Sequence, residues 1–426
     1  MNTIYSKAYQ RSMLALLSTI YFMITAAAFT SLGVVLPSMI NEMHWSWSSA
    51  GLGFTLLGLA CGLSSYLPAI FIRRLGVRQT FLIGTVILAT SFAFLARCHS
   101  LMPYLVGTVL LGIGFSFVAT VPGTYVIGRM YKNQSFAFGF YFTVGGLGGV
   151  VGPLLVVLAT DVLGNWRMHW ELCGIFLTAA GLLAALVLPS GDRERDHAEQ
   201  VSNSAKKDPA GAVYQTDQVW TARQAMGTWQ FYAIAAAYTT FLLVGITTNS
   251  FAVAHMTDHG ASPQLAAALM SIEAFINSFS RFIAGLFGDK IEPKKMLIGS
   301  LLLMVGGTLG LSAATSLPML IIFVIGVGAG YGTTFLATSV LLSNYFGRGP
   351  YLEIFSVVNL ISTLACFGPL YAGRMKDELG SFGGVFLLVA IIPLIVAVVI
   401  HFLKPPVTRQ KFGAKLSANV KGDSIA

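Results

Sequence analysis

The chain has 426 residues, of which 55% are hydrophobic and only 10% charged, with a mean hydropathy of +0.74. A soluble domain of that size needs many more charges to cover its surface, so the composition excludes one and points to an integral membrane protein. The net charge of +9 does not indicate a nucleic-acid partner, because the cations flank apolar segments instead of forming a patch.

Apolar segments long enough to cross a bilayer recur from end to end, which favours helices over the alternating strands of a barrel. They lie at roughly 13–37, 48–72, 79–96, 101–128, 136–160, 169–188, 230–254, 263–288, 296–313, 318–345, 351–372 and 381–403. The expected fold is therefore all-α, with twelve transmembrane helices. Of 26 Lys and Arg, 21 fall in the tails and even-numbered loops, and Arg97, Arg167, Arg374 and Lys376 in odd-numbered ones. This bias places both termini in the cytoplasm, with the first span an uncleaved helix. Cys61, Cys98, Cys173 and Cys366 lie in or beside apolar spans with no metal-ligand spacing, and read as small core residues. No metal and no cofactor is expected.

Residues 190–226 are polar and charged, without apolar periodicity, and read as a flexible cytoplasmic linker. The expected organisation is a six-helix bundle at 1–189, a linker at 190–228, a second bundle at 229–404 and a cytoplasmic tail at 405–426. The bundles are copies of one another. GPLLVVLATDVLG (152–164) and GPLYAGRMKDELG (368–380) share a pattern at an offset of 216 residues, and the same offset brings Gly112, Gly114 and Phe115 onto Gly328, Gly330 and Tyr331. Parallel duplication implies a pseudo-two-fold axis along the membrane normal and a central site between the halves. The glycine clusters VGGLGGVVGP (144–153) and VGAGYG (327–332) read as helix-contact surfaces.

Among all charges, only Glu273 and Arg281, in the eighth span, cannot reach an interface by snorkelling. A charge held there costs at least about 2.5–3.5 kcal/mol on insertion scales, so its default explanation is function. Glu273, Asn277 and Arg281 follow at i, i+4 and i+8 and share one helix face, toward a cavity. Glu273 and Arg281 are about 12 Å apart along the axis, too far for a direct ion pair. The guanidinium is then free to hold a carboxylate with its planar fork. Glu273 reads as a proton acceptor on the path, or as a hydrated rim residue. Asp258, with His255 and His259 in AHMTDHG (254–260), is a second proton candidate at the outer mouth. Phe29, Phe115, Tyr331, Phe335 and Asn359 are placed at the cavity by their pseudo-symmetric central positions; a Tyr331 hydroxyl could reach the second carboxylate oxygen, and Phe29 and Phe335 a short apolar tail.

Twelve spans, the six-plus-six repeat and a charged turn after the second and eighth spans resemble the major facilitator superfamily. GLFGDKIEPKK (285–295) is similar to its signature in that turn, and AIFIRRLGVRQ (69–79) departs from it, with Arg73 where the family has Asp. The resemblance implies a gating role for Asp289, with Lys290 beside it, and none for Arg73. GVVLPSMINEMHWSWSSAG (33–51), NYFGRGP (344–350) and the Asp-x-x-Gly exit at 377–380 are similar to bacterial monocarboxylate and oxalate/formate carriers, in which an Arg at the position of Arg281 binds substrate carboxylate. Several of those carriers have Asp where this chain has Asn277, and the oxalate carriers have a Lys on the eleventh span, where this one has none. One buried cation suits one carboxylate.

The expected function is proton-coupled symport of a short monocarboxylate such as lactate or pyruvate across the inner membrane, by a transporter acting as a monomer among lipids. The alternative is an exchanger or efflux carrier for another small organic anion, to which the Gly-Pro likeness of 144–153 to drug-proton antiporters adds. No GxxxxGK[ST] loop occurs, so gradients must supply the energy. Neither a His/Asp/Glu cluster at an interface nor a Ser–His arrangement suggests an enzyme.

Overall fold

The computed structural model describes residues 6–130, 134–188, 214, 216, 218–287, 291–314, 316–347 and 350–406. Among them, every regular element is a helix. The first half contains α1 (Lys7–Met43), α2 (Trp47–Ser64, followed by Leu67–Leu75) and α3 (Val77–Ala96). It continues with α4 (Leu101–Phe115, then Ser116–Thr120 and Val121–Met130), α5 (Gln134–Val157, then Leu158–Val162) and α6 (Arg167–Val187). The second half contains α7 (Trp229–Asp258), α8 (Pro263–Phe287) and α9 (Pro293–Ala313). It closes with α10 (Leu317–Phe346), α11 (Tyr351–Ser362, Thr363–Phe367 and Gly368–Leu379) and α12 (Gly383–His401).

Eleven of these helices are long and apolar enough to span a membrane. The other, α8, has 25 residues, enough to cross, but Glu273, Asn277 and Arg281 dilute its hydropathy. The helix that falls short on composition is the one carrying the intramembrane ions.

Local chemistry sets the helix ends. The side chains of Ser6, Ser46 and Thr228 accept hydrogen bonds from the first-turn amides of Tyr9, Ser49 and Phe231, satisfying donors the helix cannot. Pro293, Pro318 and Pro369 sit in the first turn of their segments, where no amide hydrogen is needed. Arg73, in the last turn of Leu67–Leu75, donates to the Ala69 carbonyl of its own helix, a favourable place for a cation.

Two helices loosen into π-turns at mid-length, α1 at Ala26–Thr30 and α4 at Ser116–Thr120. The Ser31 hydroxyl donates to the Ala26 carbonyl released by the first. Such turns widen the helix locally and often mark functional positions.

The duplication is visible in packing. A side chain at Gly112 would meet the backbone of Leu57, and one at Gly328 that of Glu273; the same 216-residue offset relates Leu57 to Glu273. Gly114 packs on Leu88 and Gly330 on Met304 at that offset too. The glycine-rich stretch of α5 serves two neighbours: Gly145, Gly148 and Gly152 meet α1 at Tyr21, Phe22 and Ala26, while Gly146 and Gly149 meet α8 at Ser278 and Ala274. Small residues on both faces let α5 lie close to both helices.

The segment ahead of α7 is described from residue 218. There Trp220 is buried against Phe346, and Thr221 opens the short helix Ala222–Met226 with a capping box. The tail beyond residue 406 and the linker residues 189–213 lie outside the described residues.

Candidate functional site

The site is built on α8. Glu273 is buried, at 6% exposure, and its carboxyl has no hydrogen-bond or ion-pair partner among the described residues. Arg281, two turns along, is half-buried. Its Nε donates to Asn277 Oδ1 at 3.1 Å, and its guanidinium carbon lies 4.9 Å from the Phe335 ring centre and 5.7 Å from that of Tyr331. Stacking on two rings suits a weakly hydrated planar cation. No carboxylate among the described residues is within ion-pairing distance. The amide of Asn277 therefore fixes one edge of the fork, and the two terminal nitrogens remain for an anion from outside the protein.

The rings under Arg281 belong to a larger aromatic wall in the second half. Phe241 meets Tyr331 edge-on at 4.8 Å and Tyr238 at 4.8 Å, and Tyr238 meets Phe355 at 5.6 Å. The Tyr238 hydroxyl donates to Asn359 Oδ1 at 3.0 Å, while the Asn359 amide donates to the Phe355 carbonyl at 3.0 Å. Asn359 thus holds Tyr238 in place. In the first half, Phe29 packs edge-on to Phe115 at 5.3 Å, and Phe115 lies 6.0 Å from Tyr21. The structure brings Asn277, Tyr331 and Phe335 to Arg281, and joins Phe29 to Phe115 on the facing half.

The other anticipated residues are elsewhere. Asp258 pairs with Lys376 at 2.6 Å, at the end of the molecule away from the chain termini. There His255 is buried with Nε2 2.9 Å from the Leu311 carbonyl, and His259 Nδ1 is 2.8 Å from the His255 carbonyl. This group sits where α7 meets α9 and α11, and not beside Arg281. Asp289 and Lys290 lie outside the described residues. Tyr21, Tyr238 and Phe241 were not singled out from the sequence as site residues; a Tyr or Phe within an apolar span is ordinary, and the only signal was that Tyr21 is the lone ionisable group of its span.

The two halves are joined at the end distal to the termini. The Asp377 carboxylate, at the end of α11, accepts from the amides of Trp47 and Ser48 at the start of α2, both at 2.9 Å. Trp47 packs against Phe251 at 6.0 Å and Phe382 at 5.2 Å, and Lys376 lies over both Phe382 and Trp47. Gln264 at the start of α8 donates to Asp161 at the end of α5, at 3.0 Å. Closer to the centre, α1 touches α7, where Gly33 lies against the Asn249 carbonyl.

A model of the Major Facilitator Superfamily matches residues 17–254 and again 234–421. The chain belongs to the Major Facilitator Superfamily. Double matching agrees with the duplication. As a superfamily member it is a multi-pass membrane transporter and not an enzyme. Among known proteins it is similar to the "Uncharacterized transporter YycB" of Bacillus subtilis (strain 168), 23% identical over 83% of this chain and 84% of that one. It is also similar to "Monocarboxylate transporter 4" of Gallus gallus, 23% identical over 87% of this chain and 78% of that one. Among solved structures, a bacterial homolog of the human lysosomal transporter Spinster, inward-facing and unoccupied, superposes with a TM-score of 0.73 at 18% identity, covering 93% of this chain and 97% of that one. A POT family transporter in complex with 5-aminolevulinic acid gives 0.70 at 14% identity, covering 91% and 95%. These two likenesses speak to the fold.

Proposed function

We propose that this superfamily transporter carries short monocarboxylates of the lactate or pyruvate type across the inner membrane, as a proton-coupled symporter working as a monomer by alternating access, with both termini cytoplasmic. The observation that carries the reading is Arg281: a cation within a membrane helix, stacked on Phe335 and Tyr331 and steadied by Asn277, with no carboxylate beside it among the described residues. Such a cation favours a counter-charge from the substrate, and its two terminal nitrogens match one carboxylate. The likeness to a protein named for monocarboxylate transport agrees with this. Glu273 is the proton acceptor of the scheme, because a carboxyl in that position is far cheaper to bury protonated than charged. Asp258, already paired with Lys376, is the lesser candidate.

A second reading, exchange of small organic anions, is favoured by Asn277. With an amide and not a carboxylate holding Arg281, the empty site keeps its positive charge, which favours reloading before the carrier returns.

One experiment tests both. In liposomes, labelled lactate uptake is measured with and without an inward proton gradient for the wild type, Arg281→Gln and Glu273→Gln. Arg281→Gln is expected to lose uptake and counterflow alike, by at least about a hundredfold, as expected for removing a buried charge-assisted pair. Glu273→Gln is expected to retain counterflow and lose gradient-driven accumulation. Normal transport by Arg281→Gln would refute the carboxylate role, and a wild type that only exchanges would select the second reading.

A further inference from the structure

The facing half contributes a polar group to this site as well. Tyr21 lies on α1, its ring stacked on Tyr141 at 4.9 Å and bordered edge-on by Phe115 and Phe142 at 6.0 and 6.1 Å. The ring also lies directly on Gly145, leaving no room for a side chain there. Tyr141 is itself fixed, its hydroxyl donating to the Ala119 carbonyl at 2.6 Å. Tyr21 thus has little freedom to turn. It is nevertheless only half-buried, and its hydroxyl has no hydrogen-bond partner among the described residues; the same holds for Tyr331.

The level of Tyr21 follows from α5, which lies between α1 and α8. Gly145 meets Tyr21 and its neighbour Gly146 meets Ser278, so Tyr21 and Ser278 stand at nearly one height on adjoining faces of α5, about 100° apart. Arg281 is three residues beyond Ser278, about 4.5 Å along the axis. On the second half, the Arg281 guanidinium carbon lies 5.7 Å from the ring centre of Tyr331. Near the level of this guanidinium each half thus carries one phenolic hydroxyl without a hydrogen-bond partner among the described residues, Tyr21 and Tyr331.

We propose that Tyr21 is a specificity-determining residue that donates its hydroxyl to the oxygen on the carbon next to the substrate carboxylate, so that the site selects 2-hydroxy and 2-oxo monocarboxylates over unsubstituted ones. A carboxylate taken up by the two terminal nitrogens of Arg281 leaves that neighbouring oxygen needing a donor, and Asn359 and Tyr238 are already spent on each other. A donor locked by its ring packing loses little entropy on binding. A site that offers an otherwise unpaired donor also discriminates against an analogue lacking the acceptor.

This rests on the carboxylate reading above, and the test separates the two. Binding of lactate, pyruvate and propionate to purified protein is compared for the wild type, Tyr21→Phe and Arg281→Gln. Tyr21→Phe keeps the ring and its packing, and is expected to weaken lactate and pyruvate about five- to tenfold, the effect of one neutral hydrogen bond, while propionate binds as before. Arg281→Gln is expected to weaken all three. Equal weakening of the three acids by Tyr21→Phe, or none, overturns the assignment of Tyr21 while leaving Arg281 in place. If Arg281→Gln weakens none of them, the carboxylate reading falls and the role of Tyr21 falls with it.

Discussion

A guanidinium in hydrocarbon is the kind of residue a sequence exposes by itself, since the cost of burying it, at least about 2.5–3.5 kcal/mol, demands an explanation wherever the helix sits. What surrounds it is less legible. Asn277 was placed with Arg281 by its i, i+4 spacing, and the structure shows that the amide oxygen accepts from Nε. Asn277 therefore orients the fork and leaves its outer edge free. Truncating it in Asn277→Ala should leave the charge but release the geometry. Monocarboxylate affinity is expected to fall by roughly three- to tenfold, with Asn277→Asp falling further, because a fixed carboxylate competes for the same cation. Titration of purified variants with lactate measures both; unchanged affinity in the alanine variant would show that the rings of Tyr331 and Phe335 hold Arg281 unaided. Asn359, a residue the sequence places at the cavity, accepts a hydrogen bond from Tyr238, a partner 121 residues away that no local pattern announces.

At the scale of elements, helix existence followed from hydropathy, whereas the breaks within helices did not. The π-turns of α1 and α4 interrupt apolar stretches with no Pro or Gly at the turn itself, so no local residue type announces them. Glycines do appear in the sequence, but not which helix each one meets. In α5 the cluster read as a contact surface turned out to serve α1 on one side and α8 on the other. Among the described glycines, the tightest approach is that of α1 on α7, where a Cβ at Gly33 would overlap the Asn249 carbonyl oxygen. Because the obstacle is backbone, no rotamer change relieves it. Gly33→Val is expected to destabilise the folded protein by about 1–3 kcal/mol or more, read as a lowered melting temperature in detergent, and to impair transport even where the fold survives; a variant of wild-type stability and activity would mean that the two helices separate easily at this point.

For the whole molecule, alternating access needs contacts between the halves that form at one end and break in the other state. The two hydrogen bonds from Trp47 and Ser48 to Asp377 are suited to this, since a carboxylate at the start of α2 satisfies free amides and opposes the helix dipole. Asp377 is exposed, which limits its strength through solvent screening. Asp377→Asn should raise the distal-open population by roughly three- to tenfold, seen as a longer-distance component between spin labels on the distal ends of α2 and α11. An unaltered distance distribution would show that the Trp47, Phe251 and Phe382 packing closes this end without the carboxylate.

The sequence by itself determined the solvent of this protein, the number of its helices, their duplication and the one helix that carries buried ions. These follow from composition and local spacing, because a bilayer penalises every exposed polar group and so writes its demands directly into the chain. Only the tertiary structure decided which side chains meet. Asp377 and Trp47 are 330 residues apart, Tyr238 and Asn359 are 121 apart, and Asp258 is paired with Lys376. Such meetings depend on how twelve similar apolar helices order themselves around one another, and in that packing many residue pairs are chemically interchangeable until the fold has chosen among them.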